Sequence, residues 1–312
     1  MAHDRPFLGI LLMVGFCVLA PLGDATAKFL GASYTLGTLV IVRFGVQALT
    51  MVPLALRKGT GMRLTPRVWH LCAWRAILHI AGLWLMFASL RFLPLADAVA
   101  IAFVMPFIML ILGRYVLDEH VGARRLAACV VGFIGTLMVV QPSFASVGAP
   151  ALLPLGVAVV FSLFMLVTRQ VAKESDPITL QAASGISAVI VLSLIVLIGP
   201  PLGWSDAATV LPVGGDWLLF AFLGVIGTIA HLFMTWSLRF APSATVAPVQ
   251  YVEIPFAAFV GWVVFQDFPN GLALAGIVVT VAAGLYILLR ERHLSLSPAM
   301  PAPQPPAPSV AE

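Results

Sequence analysis

Ten stretches of predominantly apolar residues follow one another along the chain, separated by short polar segments. A helix needs about 20 such residues to cross the hydrocarbon core of a bilayer. The stretches lie at 7–26, 36–56, 69–90, 95–117, 122–140, 150–171, 178–199, 216–238, 242–265 and 270–289. Each is continuously apolar, whereas a membrane β-strand alternates apolar and polar residues over about ten positions. The sequence therefore predicts an all-α membrane protein with ten transmembrane helices.

Composition identifies the lipid bilayer as the surroundings of this chain. Of its 312 residues, 61% are hydrophobic and only 10% are charged, against about 45–50% and about 25% in soluble domains. So few charges cannot cover so much apolar surface in water. The net charge of +4 comes without a basic and aromatic face, so no nucleic-acid partner is expected. Cys17, Cys72 and Cys129 are isolated in sequence, so no metal site or cofactor is expected.

The two halves of the chain resemble each other. Ser89-Leu90-Arg91-Phe92-Leu93-Pro94 recurs 148 residues later as Ser237-Leu238-Arg239-Phe240-Ala241-Pro242. At an offset of 149, Pro106-Phe107 matches Pro255-Phe256, Asp118 matches Asp267, Gly122 matches Gly271 and Gly135 matches Gly284. At an offset of 145, Ala27-Lys28 matches Ala172-Lys173. We therefore predict two five-helix units at 7–140 and 150–290, followed by a disordered Pro/Ala-rich tail at 295–312.

Loop charge indicates how these units sit in the membrane. An odd number of spans in each unit makes the second enter from the opposite face, which gives an inverted-topology repeat. Cationic residues concentrate in the loops of one side: Arg57, Lys58, Arg63, Arg67, Arg114, Arg124, Arg125, Arg169, Lys173, Arg239, Arg290 and Arg292. The other side carries Lys28 and Arg91. The positive-inside rule then predicts that both termini lie in the cytoplasm, and we expect the protein in the cytoplasmic (inner) membrane. A cleaved signal peptide is an alternative for the first stretch, but its removal would break the repeat.

The ten spans, the two five-helix units and the repeated Ser-Leu-Arg-Phe-x-Pro pieces resemble the drug/metabolite transporter superfamily, specifically its EamA-type members. The segments 15–24 and 43–47 resemble its bacterial riboflavin-importer branch. The resemblance implies a secondary transporter that moves a small metabolite by alternating access, with riboflavin uptake as the leading interpretation and export of amino acids or drugs as the alternative. It also implies a pathway lined by 69–90, 95–117, 216–238 and 242–265.

An enzyme is the distant alternative to a transporter. The chain has no H-E-x-x-H, G-x-S-x-G or G-x-x-x-x-G-K motif, so metalloprotease, serine hydrolase and P-loop chemistry are not indicated. We expect no catalytic residues and a small-molecule substrate. A homodimer is kept as one assembly that the sequence permits.

Glu253 is the first candidate functional residue, because a charge at bilayer depth usually faces a cavity or a partner. It lies between Pro248 and Pro255 in the ninth stretch, with Gln250 nearby as a further candidate. Its repeat counterpart is Val104, so the repeat itself does not require a carboxylate there. Glu253 is interpreted as a proton-coupling group or a substrate hydrogen-bond acceptor, or alternatively as a carboxyl that ties helices together.

Arg43 and Gln47 lie four residues apart, on one face of the second helix. They can bind an anionic group or a carbonyl of the substrate, or bond neighbouring helices; Arg43 can also pair with Asp24. His79 and His231 lie deep in the third and eighth stretches. They are candidates for proton transfer near neutral pH, with helix-to-helix hydrogen bonding as the alternative.

Aromatic candidates lie on the four helices of the implied pathway. A planar ring can stack on such side chains in a mostly apolar pocket, while packing in the core or against lipid is the alternative. The candidates are Trp84, Phe103, Trp236 and Tyr251.

Overall fold

A computed structural model describes residues 5–57, 64–118 and 122–296, and these ranges are helical without any strand. The helices are α1 Pro6–Leu30, α2 Leu36–Arg57, α3 Pro66–Ser89, α4 Leu95–Ala102, α5 Met105–Val116, α6 Ala123–Val147, α7 Leu153–Glu174, α8 Pro177–Ile198, α9 Asp216–Phe240, α10 Ser243–Val246, α11 Glu253–Phe265 and α12 Gly271–Leu296. The all-α prediction is confirmed. The predicted tail from 297 onward, Lys58 and Arg63 lie outside the described residues.

Seven helical segments in the described ranges are long and apolar enough to cross a membrane. They are Pro6–Leu30, Leu36–Arg57, Pro66–Ser89, Leu95–Val116, Ala149–Glu174, Pro177–Ile198 and Asp216–Phe240. The shorter apolar helices Leu126–Met138, Val249–Phe265 and Gly271–Tyr286 coincide with the remaining three predicted spans. The protein therefore contains multiple membrane-spanning segments, and the total of ten stays a prediction.

Two of the predicted spans are interrupted helices. The stretch predicted at 95–117 breaks between α4 and α5, next to Pro106. The stretch predicted at 242–265 passes from α10 through the 3-10 turn Ala247–Val252 into α11. Proline lacks a backbone N–H and crowds the preceding turn, which explains why both breaks occur beside proline. Such breaks free backbone groups, which a membrane protein tolerates only where they are buried or line a cavity.

Helices of the first half pack mainly against helices of the second half. The helix α1 packs on α9 and α3 packs on α7, while α2 pairs with α8 and α6 with α12. The contact of α5 with α7 is likewise matched by that of α11 with α1. If each helix of α1–α6 is paired in order with one of α7–α12, so that α1 corresponds to α7 and α6 to α12, each of these contacts has a counterpart between the corresponding helices.

The helices α6 and α12 approach each other at backbone distance. A Cβ atom built on Gly135 would lie 2.7 Å from the carbonyl oxygen of Gly276 and 2.7 Å from Cγ2 of Thr280. Small residues permit such close contact between membrane helices, where dispersion contacts rather than hydrophobic burial hold the pair together.

Among the described residues, cations predicted for the two faces of the membrane lie at opposite ends of the bundle. At one end, here the Lys28 end, Lys28 Nζ lies 3.1 Å from Asp267 Oδ2, and Arg91 Nη1 lies 3.0 Å from Asp206 Oδ1. At the other, here the Arg67 end, Arg67 Nη1 lies 2.6 Å from Glu174 Oε1. The loops that were predicted on opposite faces of the membrane from their charges therefore lie at opposite ends of the folded bundle.

Candidate functional site

A cavity lies at the centre of the bundle, where α1, α3, α4, α7 and α9 meet the start of α11. Its volume is about 70 Å³, smaller than the roughly 300–1,000 Å³ of sites that hold drug-sized ligands. The described conformation is therefore contracted around the cavity, and a metabolite needs the helices to separate. The polar lining consists of Asp24, His231 and Glu253, and the aromatic lining consists of Phe16, Phe103 and Phe161.

Both helix breaks lie at this cavity. Phe103 follows the last residue of α4, Met105 begins α5 and Glu253 begins α11, and all three line the cavity. Glu253 is only 7% exposed, and its side chain makes no hydrogen bond within the described residues. Its carboxyl group therefore remains available to a molecule inside the cavity.

Asp24 is a cavity residue that the sequence analysis considered only as a partner for Arg43. It lines the cavity from α1, and within the described part of the chain it forms no ion pair with Arg43. A carboxylate inside an apolar stretch was the signal that identified Glu253, and the same signal was present at Asp24. The cavity therefore presents two acidic side chains and no lysine or arginine.

A buried polar cluster, consisting of Arg43, Gln47, Arg75, His79, Gln181 and His231, lies beside the cavity and meets it at His231. Arg43 Nη1 donates to Gln47 Oε1 at 2.7 Å. Arg43 Nη2 donates to the carbonyl oxygen of Gly227 at 3.2 Å and lies 3.0 Å from His231 Nδ1. His231 Nδ1 also lies 2.9 Å from the carbonyl oxygen of Gly227, one turn earlier on the same helix. Arg43 thus binds α9 beside His231, which is the helix-to-helix arrangement considered as its alternative role.

The cluster continues from Gln47 to Arg75 through Gln181. Gln47 Nε2 donates to the backbone oxygen of Gln181 at 2.9 Å, and both terminal nitrogens of Arg75 lie 3.2 Å from Gln181 Oε1. Arg75 also donates to Ser184 Oγ at 2.7 Å and, through Nε, to Thr168 Oγ1 at 2.9 Å. Arg75 was not among the predicted site residues, although its position four residues before His79 in an apolar stretch was a usable signal.

His79 is enclosed by rings. Its ring centroid lies 4.2 Å from that of His231, 4.6 Å from that of Phe164 and 4.9 Å from that of Phe44. Neither ring nitrogen of His79 has a hydrogen-bond partner within the described residues. His79 therefore lies one ring away from the cavity, with His231 between them.

The two tryptophan candidates lie away from the cavity lining. The ring of Trp84 packs against that of Trp204 near the Lys28 end, with centroids 4.9 Å apart. Trp236 packs against Phe233 at 6.4 Å. These ring contacts are those expected if the two tryptophans pack in the core or against lipid, which was the alternative interpretation.

Tyr251 and Gln250 also point elsewhere. The Tyr251 hydroxyl donates to the carbonyl oxygen of Cys129 at 3.3 Å, and Gln250 Nε2 lies 3.1 Å from the Met165 sulfur. Both belong to the contacts of the 3-10 turn with neighbouring helices. No group of three His, Cys, Asp or Glu side chains within the described ranges is placed to hold a metal ion.

A mostly apolar cavity with three ionisable side chains, enclosed by helices of membrane length of which two are broken at its edge, is typical of membrane transporters. The comparison with known families gives the same class. The chain belongs to the EamA-like transporter family, whose model matches residues 7–141 and 149–290. The predicted EamA-type resemblance is confirmed, and the protein is an integral multi-pass membrane transporter rather than an enzyme.

Curated relatives carry different substrate names. The chain is 28% identical over 260 residues to a riboflavin transporter of Rhizobium johnstonii, covering 82% of each chain. It is 24% identical to an S-adenosylmethionine uptake transporter of Rickettsia felis, covering 86% of this chain and 88% of the relative. It is 26% identical to the pseudopaline exporter CntI of Pseudomonas aeruginosa, covering 91% and 96%.

A solved crystal structure shares the fold. It superposes with a TM-score of 0.66 at 18% identity, covering 92% of this chain and 98% of the other.

Proposed function

We propose that this protein is a secondary transporter that takes up riboflavin, or a similar planar metabolite rich in hydrogen-bond donors, across the cytoplasmic membrane by alternating access. The observation that carries the proposal is the central cavity, in which Asp24 and Glu253 face the rings of Phe16, Phe103 and Phe161. Carboxylates accept hydrogen bonds from hydroxyl and ring N–H groups, while the rings provide surfaces on which a flat molecule stacks.

The proposed architecture has ten spans, arranged as inverted five-helix repeats at 7–140 and 150–290, with both termini in the cytoplasm. The exchange pattern of helix contacts supports the repeat, as do the two family matches along the chain. The concentration of cations at the Arg67 end supports placing that end in the cytoplasm. Reporter tags on the two termini test the orientation, because both must report the same face.

Within the site, Glu253 is proposed to carry the coupling proton or to accept a substrate hydrogen bond. His231 is proposed to contact the substrate from α9, with Arg43 Nη2 at 3.0 Å and the Gly227 carbonyl oxygen at 2.9 Å from its Nδ1 atom. Phe103 is proposed to stack on the substrate at the break between α4 and α5. Gln47 and His79 support this arrangement from behind His231.

Uptake of riboflavin is favoured over the other substrates by the names of two relatives, from Rhizobium johnstonii and Brucella anthropi, at 28% and 26% identity. Export is the second candidate, because a relative of 26% identity is named an exporter. The homodimer stays a prediction that crosslinking in the membrane tests.

Growth of a riboflavin auxotroph at low external vitamin tests the proposal in cells. Cells that express the protein should grow, and cells that express Glu253→Gln at the same membrane level should not. Purified protein in liposomes should also accumulate labelled riboflavin saturably. Absence of uptake by the wild type, together with export of amino acids or dyes from loaded vesicles, would decide for the exporter.

A further inference from the structure

The sequence repeat assigns to each residue around the cavity a counterpart in the other half. At an offset of 145, Phe16 corresponds to Phe161, and at an offset of 148, Met86 corresponds to Met234. Phe16 and Phe161 both line the cavity and lie with ring centroids 6.4 Å apart. The central position of this matched pair supports the offset that relates α1 to α7.

The two halves differ in how these corresponding positions are packed. On α1 and α3, the cavity is lined by Ala20, Asp24, Gly82 and Met86. The corresponding residues on α7 and α9 are Met165, Arg169, Ala230 and Met234. These four are buried, with exposed fractions of 0%, 4%, 0% and 0%, and none of them lines the cavity. The cavity therefore extends toward the Lys28 end, and its symmetry-related counterpart toward the Arg67 end is filled.

Direct bonds hold the filled half together. Arg169 on α7 donates through Nη1 to the carbonyl oxygen of Leu238 on α9, and Arg239 on α9 donates to that of Ser175 at 2.9 Å. The helices α7 and α9 are packed together, whereas α1 and α3 barely touch. At the Lys28 end, Lys28 on α1 donates to the carbonyl oxygen of Leu93, just beyond α3, at 3.2 Å. Corresponding helices of the two halves therefore pack differently, more closely between α7 and α9 than between α1 and α3.

We propose that Arg169 takes the place of Asp24 in the lining of the pathway when the Arg67 end opens. This inference rests on the transport function and the inverted repeat proposed above. Opening that end separates α7 from α9, releases Arg169 from Leu238 and turns it toward the cavity, while α1 closes on α3 and covers Asp24. A substrate then meets a carboxylate from the Lys28 end and a guanidinium from the Arg67 end.

The exchange has a chemical consequence for the substrate. Asp24 accepts hydrogen bonds, whereas the guanidinium of Arg169 donates them and accepts none. A donor-rich substrate is therefore held in the state that faces the Lys28 end and loses an acceptor in the state that faces the Arg67 end. Binding that is weaker on the release side favours net movement toward the Arg67 end when the coupling gradient drives the cycle.

Accessibility of single cysteines tests the exchange without any need for transport. The native cysteines Cys17, Cys72 and Cys129 are first replaced by serine. Single cysteines are then introduced as Asp24→Cys and Arg169→Cys. The control is Val171→Cys, because Val171 is fully buried on the same helix as Arg169. A membrane-impermeant thiol reagent is applied to each face of oriented vesicles. Asp24→Cys should react only from the Lys28 end, Arg169→Cys only from the Arg67 end, and Val171→Cys from neither.

Labelling of Arg169→Cys from neither face, or from the same face as Asp24→Cys, would refute the exchange. If the wild type takes up no riboflavin but the labelling pattern appears, the substrate proposal fails and the exchange stands. The two failures are therefore distinguishable.

Uptake kinetics supply a second readout, because they separate binding from release. Asp24→Asn should raise the KM for riboflavin presented at the Lys28 end severalfold. Arg169→Gln keeps an N–H donor for Leu238 but removes the charge, so it should lower the maximal rate severalfold without raising KM, and Arg169→Lys should restore the rate. Equal changes of KM in both variants would contradict separate roles on the two faces.

Discussion

Gly82 offers a direct test of whether the central cavity is the transport site. A Cβ atom on Gly82 would lie 3.8 Å from Phe161 Cδ2 and 3.9 Å from Val160 Cγ1, which are ordinary contacts. Alanine should therefore be tolerated there. The helix propensity of alanine over glycine even favours the folded state by about 1 kcal/mol.

Leucine at the same position should block the site. Its side chain adds four carbon atoms, each close to a water molecule in size, and one water needs about 10–15 Å³ of cavity volume, so the four need about 40–60 Å³. The cavity holds only about 70 Å³. Gly82→Leu should therefore fill most of the cavity and stop riboflavin uptake in proteoliposomes, while Gly82→Ala retains uptake with a modestly raised KM.

Gly45→Leu on α2 is the matched control, because a Cβ atom there has no neighbour within 4 Å. It makes the same change in a membrane helix without touching the cavity, so uptake should match that of the wild type. Thermal unfolding of all three variants in detergent shows whether they fold. A folded Gly82→Leu protein with the KM and maximal rate of the wild type would refute the placement of the substrate.

Three further predictions follow from particular contacts. Glu253→Gln should abolish uptake or its pH dependence while leaving the unfolding temperature unchanged, and normal, pH-dependent flux would remove Glu253 from the mechanism. In Gly135→Ala the new Cβ would lie 2.7 Å from a carbonyl oxygen of α12, and because ordinary contact begins at 3.4 Å, α12 has to move by about 0.7 Å. We expect this variant to lose about 1–3 kcal/mol of unfolding free energy. The control Gly122→Ala should lose none, because a Cβ atom on Gly122 has no neighbour within 4 Å. The hydrogen bond to Asp216 raises the pKa of Tyr34 above its ordinary 10.0, so this bond stabilises the fold at pH values below 10 and its contribution is lost as pH rises through the raised pKa. The unfolding temperature of Tyr34→Phe should therefore be lower than that of the wild type at neutral pH, and the two temperatures should converge in strong alkali.

The helical content of the chain could be predicted from sequence because apolar stretches of bilayer length leave no other fold. The breaks in the helices were harder to place. Pro106 and Pro255 mark the regions in which α4 gives way to α5 and the 3-10 turn to α11. Proline often only bends a membrane helix, because neighbouring helices re-satisfy the freed backbone groups. The full interruption depends on packing partners that sequence does not specify.

The acidic part of the site was predictable, and the division of labour among the polar residues was not. Glu253 was found because an ionisable residue at bilayer depth is costly, and Asp24 and Arg75 carry the same signal. Whether such a residue faces a cavity or a neighbouring helix is decided by the rotation of its helix. Arg43 and His79, for example, lie behind His231 rather than beside Glu253.

The buried polar cluster explains how two guanidinium groups can lie among membrane helices without a carboxylate. Arg75 has four acceptors, which are the hydroxyls of Thr168, Ser184 and Thr235 and the side-chain oxygen of Gln181. These acceptors come from α7, α8 and α9, so the donors of one side chain on α3 connect four helices. A buried charge that meets only neutral acceptors is costly, which explains why Arg75 needs several acceptors from three neighbouring helices at once.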